Sequence, residues 1–177
     1  MAEPPRALNP PGRLRGAIVE LVPVAPAHLP ELLRIRATPE VSQRWGAREE
    51  APGWPLDDPA ATVFTVLVDG EVRGLIQCSE ENEPGYRHAS IDLYIDPAVH
   101  NRGIGRDAVR TLARHLIRDR SHHRVTIDPA ADNQAAIRCY TAVGFRPVGL
   151  MRRYERDPEG PGWHDGLLMD LLAEELV

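Results

Sequence analysis

The stretch from Tyr94 to Leu116, YIDPAVHNRGIGRDAVRTLARHL, narrows the possible folds more than any other part of the chain. An apolar run stops, and Gly103 and Gly105 sit one residue apart. Ile104, Ala108, Val109, Leu112, Ala113, Leu116 and Ile117 then recur at helical spacing. The pattern predicts a strand ending near Ile95, a tight bend, and a helix starting at once. Glycines there permit a sharp turn and a close approach of backbone to a ligand. The helix N-terminus beyond them presents unpaired N–H groups and the positive end of a dipole, so the junction suits a phosphate. It is not a Walker loop, which ends in Gly-Lys-Ser/Thr. Some versions of the Rossmann fingerprint tolerate Ala108 at the third-glycine position, but here hairpins precede the loop and no acid closes the following strand in the expected role.

The surrounding chain predicts the rest of the fold. A first strand runs over Ala17–Val22, and Leu29, Leu32, Leu33 and Ile35 recur at helical spacing before a short helix over Glu40–Trp45. Two apolar runs joined by Asp69-Gly70 form a hairpin. HHRVTID is another strand. NQAAIRCYTAVGF is a helix with Asn133 near its N-cap and Gly144 as its C′ residue. Two more strands follow. The order β-α-α-β-β-β-α-β-α-β-β predicts an α/β (α+β) single domain: a mixed, mostly antiparallel central sheet flanked by helices. A chain of 177 residues suits one such domain over 16–177, behind a flexible leader over 1–15 rich in proline and arginine.

Composition restricts the partners. No run approaches the ~18 apolar residues of a membrane span, and no signal peptide is evident. Cys78 and Cys139 have no CxxC-type spacing. A cytoplasmic protein with reduced thiols and no membrane partner is expected. The formal net charge of -5 argues against a nucleic-acid partner and suits a cationic one. His122 and His123 are adjacent without a carboxylate or cysteine at ligand spacing, so they read as a solvated loop and no metal is expected.

The segment DLYIDPAVHNRGIGRDAVRTLARHL, followed by AADNQAAIRCYTAVGFRPVG, resembles the Gcn5-related N-acetyltransferases. Within that superfamily the chain is similar to the aminoglycoside 6′-N-acetyltransferases over roughly Gly16 to Gly149. The telling residues are Trp45, Asp92, Asp128 and Pro129. The resemblance implies an acetyltransferase fold and acetyl-coenzyme A as cofactor. Its pyrophosphate would lie on the loop His100-Asn101-Arg102-Gly103-Ile104-Gly105 and Arg106. Position 100 departs from the family, with histidine in place of glutamine or arginine. The resemblance also implies that Leu93, Tyr94 and Ile95 offer backbone to the pantetheine arm, where a bulge splays this strand from the next. Asn133 and Ala136 would meet the cofactor's amide region, and Tyr140 its sulfur.

Acetyl transfer from a thioester to an amine needs a neutral amine, a donor for the developing oxyanion, and a partner for the departing thiolate. Asp92 is the candidate for the first. ASIDLYI alternates, so Asp92 and Tyr94 share one face and Ile91 and Leu93 the other. An exposed acid on an amphipathic strand is the alternative. A backbone N–H near Leu93 or Tyr94 is the candidate oxyanion donor, and Tyr140 the proton donor to sulfur. Asp128 is a second acid for a cationic substrate, or else a residue that opens a turn. Glu80, Glu81, Glu83, Asp57 and Asp58 could extend the anionic field from loops. Trp45 and Trp54 are candidates to line the acceptor site, and Cys139 is a core thiol. The expected activity is acetylation of a small cationic amine, foremost an aminoglycoside at its 6′ amine, by a monomer or homodimer. Two alternatives stay open: a protein, peptide or polyamine acceptor, and a coenzyme A-binding module without catalysis.

Overall fold

Asp69 and Gly70 have φ of 51° and 79°, the left-handed pair that a two-residue hairpin requires. They join β3 (Thr62–Val68) to β4 (Glu71–Glu81), the anchor of the sheet. The computed structural model describes residues 12–45, 54–158 and 160–176. The other elements are β1 (Leu14–Arg15), β2 (Glu20–Pro23), α1 (Leu29–Arg36), α2 (Pro39–Trp45), β5 (His88–Ile95) and α3 (Ile104–Arg118). They are followed by β6 (Arg124–Ile127), α4 (Gln134–Thr141), β7 (Arg146–Arg156) and β8 (Trp163–Leu172). The eight strands lie in the order β1-β2-β3-β4-β5-β6-β8-β7. Every pairing is antiparallel except β5 with β6. This is the mixed, mostly antiparallel single domain that the element order predicts.

Two helical layers cover the sheet because its strands alternate. Val66, Ile76, Ile91 and Val125 pack with Ala108, Val109, Leu112 and Leu116 of α3. On the opposite face Val63, Leu75 and Tyr94 pack with Leu32, Ile35 and Val41 of α1 and α2. Asp92 and Tyr94 therefore share the α1–α2 face, as the alternation predicts. No described helix is long and apolar enough to cross a membrane.

Two boundaries move. Residues 1–11 of the expected leader lie outside the described residues, but Leu14 and Arg15 pair with Leu21 and Glu20, so the fold begins before Gly16. Helix α4 ends with Ala142 as C-cap, which puts Gly144, at φ 120°, two residues past the cap instead of at C′. Phe145 N–H closes that turn onto Tyr140 O at 3.1 Å.

Candidate active site

The parallel ladder between β5 and β6 is two residues long, Ala89 with Val125 and Ser90 with Thr126, and then stops. Beyond it β5 runs on to Ile95, still in unbroken register with β4. The splay expected here arises without a register shift between β4 and β5: the ladder to β5 ends at Thr126, while β6 and the chain beyond it stay with β8, through Ile127 opposite Met169 and a bridge from Ala130 to Gly166. The main chain of β5 thus faces a gap on one edge. Leu93 O on that edge accepts Trp45 Nε1–H at 3.0 Å, and Ile95 O lies 2.9 Å from His100 Nε2. Neighbouring residues of a strand point their amides to opposite edges, so Tyr94 belongs to the β4 edge, opposite Leu75. Its ring is buried among α1 residues, with the hydroxyl donating to Leu32 O at 3.3 Å. Of the three β5 residues expected to meet a cofactor, Leu93 and Ile95 present backbone to the gap and Tyr94 does not.

At the end of β5 the chain bends sharply into α3. Asp96, 2% exposed, caps a short turn over Pro97–Val99 by accepting Ala98 N–H at 3.1 Å, and is held by Arg34 at 2.9 Å. Asn101 has φ of 61°, and Gly103, the N-cap of α3, has φ of 79°. That left-handed bend aims the first-turn N–H groups of α3 outward. Asp107 lies in the same first turn, where an acid would repel an anion. Its carboxylate is directed elsewhere, accepting the amides of Ala17, Ile18 and Val19 at 3.1, 2.6 and 3.0 Å. A Cβ at Gly16 would run into that carboxylate. With Asp107 occupied and Arg102 and Arg106 exposed beside the loop, the residues present fit a pyrophosphate. His100 contributes its ring to the turn itself, through Ile95 O.

The gap opens into a cavity of about 630 Å³. Asp92 and Leu93 of β5, Thr126 and Asp128 at the end of β6, and Asn133 and Tyr140 of the α4 segment line it together. Asn133 also caps α4, its Oδ1 accepting Ala136 N–H at 3.2 Å. Trp45 forms a wall, with its ring edge-on to Tyr94 at 4.9 Å between centroids and 86° between planes. Burial pushes the Tyr140 phenol well above its ordinary range, and the nearby Cys139, Asp92 and Asp128 add to the shift. The two carboxylates therefore act on the same hydroxyl.

Sequence reasoning missed part of this wall. Gln77 and Ser79 of β4, with Ser90 and Thr126, lay a polar floor beside Asp92, and Trp54 Nε1–H fixes the Gln77 amide through Oε1 at 3.0 Å. Tyr154 and Glu155 of β7 close the far side. Tyr154 lies over Gly166, where a Cβ would meet its ring at 2.8 Å. The polar alternation of VRGLIQCSE carried a signal for the floor. Nothing local marks Tyr154 or Glu155, which arrive by pairing of β7 with β8.

Some expected site residues lie elsewhere. Trp54 packs behind Trp45 at 6.3 Å, with the Arg36 guanidinium 4.8 Å from its ring centre. Glu80 is not in a loop: β4 continues through it, and its side chain, 3% exposed, meets Arg120 at 3.1 Å and His122 at 3.1 Å. Burial pushes the Glu80 carboxyl up, but the bonds to Arg120 and His122 outweigh it and leave it below its usual range. His122 is correspondingly buried, not solvated, and burial lowers its imidazole. Glu81, Glu83, Asp57 and Asp58 do not line the cavity. Burial raises the Cys139 thiol.

Residues 29–145 match the family model described as Acetyltransferase (GNAT) family. The N-alpha-acetyltransferase RimI of Mycobacterium tuberculosis is 38% identical over 73 residues, 41% of this chain and 44% of that one. Aminoglycoside N(6′)-acetyltransferase type 1 of Klebsiella pneumoniae is 28% identical over 139 residues, 66% of each chain. The matches thus span 44% and 66% of these relatives' own length. Among solved structures, RimJ of Mycobacterium smegmatis in complex with CoA-disulfide shares the fold with a TM-score of 0.81. It is 23% identical, over 95% of this chain and 90% of that one.

Proposed function

The chain belongs to the acetyltransferase (GNAT) family, and from that premise we propose that it transfers acetyl from acetyl-coenzyme A to a primary amine on a small cationic acceptor. One observation carries the reading: the divergence of β5 from β6 lets Asp92, Asp128 and Tyr140 line one cavity behind a helix terminus suited to a phosphate. The bound donor supplies an activated thioester, whose C–S bond breaks as the amine forms a C–N bond.

The protein's residues meet the other demands. An acceptor ammonium, with an ordinary pKa of about 10, must lose a proton before attack. Asp92 holds the ammonium, and its proton leaves through water to base in the bulk solvent, since full transfer to a carboxylate is steeply uphill. Leu93 N–H, on the gap edge with its carbonyl, would donate to the developing oxyanion. Tyr140 has a more limited role than proton donor. A phenol is ordinarily a weaker acid than a thiol, about 10 against about 8.5, and burial weakens this one further, so full transfer of its proton to the thiolate runs uphill. It would instead donate a hydrogen bond to the sulfur as charge develops there.

An aminoglycoside with a free 6′ amine is the acceptor this reading favours. Asp92, Asp128 and Glu155 offer anionic partners to several ammonium groups, and the floor of Gln77, Ser79, Ser90 and Thr126 suits hydroxyls. The similarity to an enzyme named for that reaction supports it. A peptide amino terminus is the second reading, favoured by the 38% identity to an N-alpha-acetyltransferase. The test is incubation with acetyl-coenzyme A and a panel of tobramycin, polyamines and short peptides, with products read by mass spectrometry. The chain contains no lysine, so ε-amino self-acetylation does not confuse the result. Acetylated tobramycin is expected, peptide products alone would select the second reading, and binding of coenzyme A without any product would reduce the protein to a binding module.

A further inference from the structure

The last two residues of α2 reach across the splay to both of its arms. Trp45 holds β5 through Leu93 O, and Arg44 Nη1 lies 2.5 Å from Oδ1 of Asp132, in the loop between β6 and α4. Arg44 and Asp132 are both exposed, at the mouth of the cavity that Arg44 helps to line. Among the described lining residues Arg44 is the only arginine, set against the acids Asp92, Asp128 and Glu155. A cation is costly in a pocket that receives cations, and a guanidinium stays charged at any working pH.

We propose that Arg44 is a specificity-determining residue that limits how many ammonium groups an acceptor can bring into the site. This rests on the amine-acceptor reading above. Paired with Asp132, it keeps the mouth electrically neutral while Asp92 and Asp128 act on the reacting amine. A polycation must approach Arg44 or displace it from Asp132, whereas an acceptor with one ammonium meets only the inner acids. Removing the guanidinium exposes Asp132 as a further anion at the entrance and deepens the field that draws polycations in.

Calorimetric titration with tobramycin reads this without turnover, in the wild type and in Arg44→Ala, Arg44→Lys and Arg44→Ala/Asp132→Asn. In Arg44→Ala, tobramycin binding tightens about 5-fold at low ionic strength, and the gain shrinks at 0.5 M salt as screening shortens to roughly 4 Å. Arg44→Lys keeps the wild-type affinity, and the double variant returns to within about 2-fold of it because both charges have gone. Parallel assays of tobramycin against glucosamine, which carries one amine, should show the KM ratio moving with the Kd and the glucosamine KM following it far less. Unchanged or weaker tobramycin binding in Arg44→Ala overturns the proposal, and so does a gain that survives intact in the double variant, which would indicate steric opening. Tightened binding with no acetylated product in any variant upholds the role of Arg44 and counts against the enzymatic reading instead.

Discussion

The two ends of the cleft are built by different means. The proposed donor end comes from one continuous stretch, Asp96 to Arg118, whose backbone geometry suits an anion: a capped turn, two left-handed residues and a helix terminus. The acceptor end is assembled from side chains on β4, β5, β6, β7 and α2, far apart in sequence. Contiguous main-chain sites tolerate variation in every side chain but their glycines. Dispersed side-chain sites change with each contributing residue. On the proposed reading, one end would keep its ligand while the other is free to alter its acceptor.

The largest test of that contrast is Gly103→Val. A β-branched residue at φ 79° is strained even though a Cβ there has room, 3.6 Å from Ile18 Cδ1. Coenzyme A affinity should fall roughly 100-fold by calorimetry. A loss under 3-fold would show that the bend is dispensable. Next, Asp92→Asn should lower kcat about 100-fold while the coenzyme A Kd stays within about 2-fold. Equal losses in both would merge the two ends into one. Tyr140→Phe should lower kcat about 10-fold, since it removes one hydrogen bond to sulfur and no obligatory proton. An unaltered single-turnover rate would remove Tyr140 from the chemistry.

Two smaller effects test the supports. Asp107→Ala leaves three buried or half-buried amides without their acceptor and should cost about 2 kcal/mol of stability in denaturant melts. A neutral result would mean that water replaces the carboxylate. The second support is the Glu80–Arg120–His122 cluster, which answers to pH. His122 is depressed below its ordinary 6.5, so its contribution is complete above that pH and is lost as acid charges the unfolded chain. Glu80, also depressed, adds its loss only below about its ordinary 4.5. The melting temperature should fall from pH 7 to pH 5, and His122→Gln should flatten that slope.

The donor end was legible because its cues are local. Gly103, the Asn133 cap and the Asp69-Gly70 hairpin each depend on a few neighbouring residues, and each falls where the sequence places it. The faces of β5 followed from simple alternation. Long-range pairing concealed the rest. Glu80 reads as a loop acid until β4 extends through it opposite Ala89 and aims it at α3's far end. Asp107 looks like an ordinary helix acid, and its role appears only when the β1–β2 turn docks 90 residues away in sequence. Glu155 and Tyr154 lie in a strand whose register slips between Met151 and Glu155, so no periodicity could place them on the cavity.

The brevity of the β5–β6 ladder bears on mechanics. The two wings of the sheet are stitched together by a pair of residues on each strand, with the helices above and below supplying the remaining grip. A guest lying along the open seam would act as a missing strand and brace the wings. Occupancy should then slow deuterium uptake on both banks at once, including amides it never touches, so the molecule is most fully knit when it is at work.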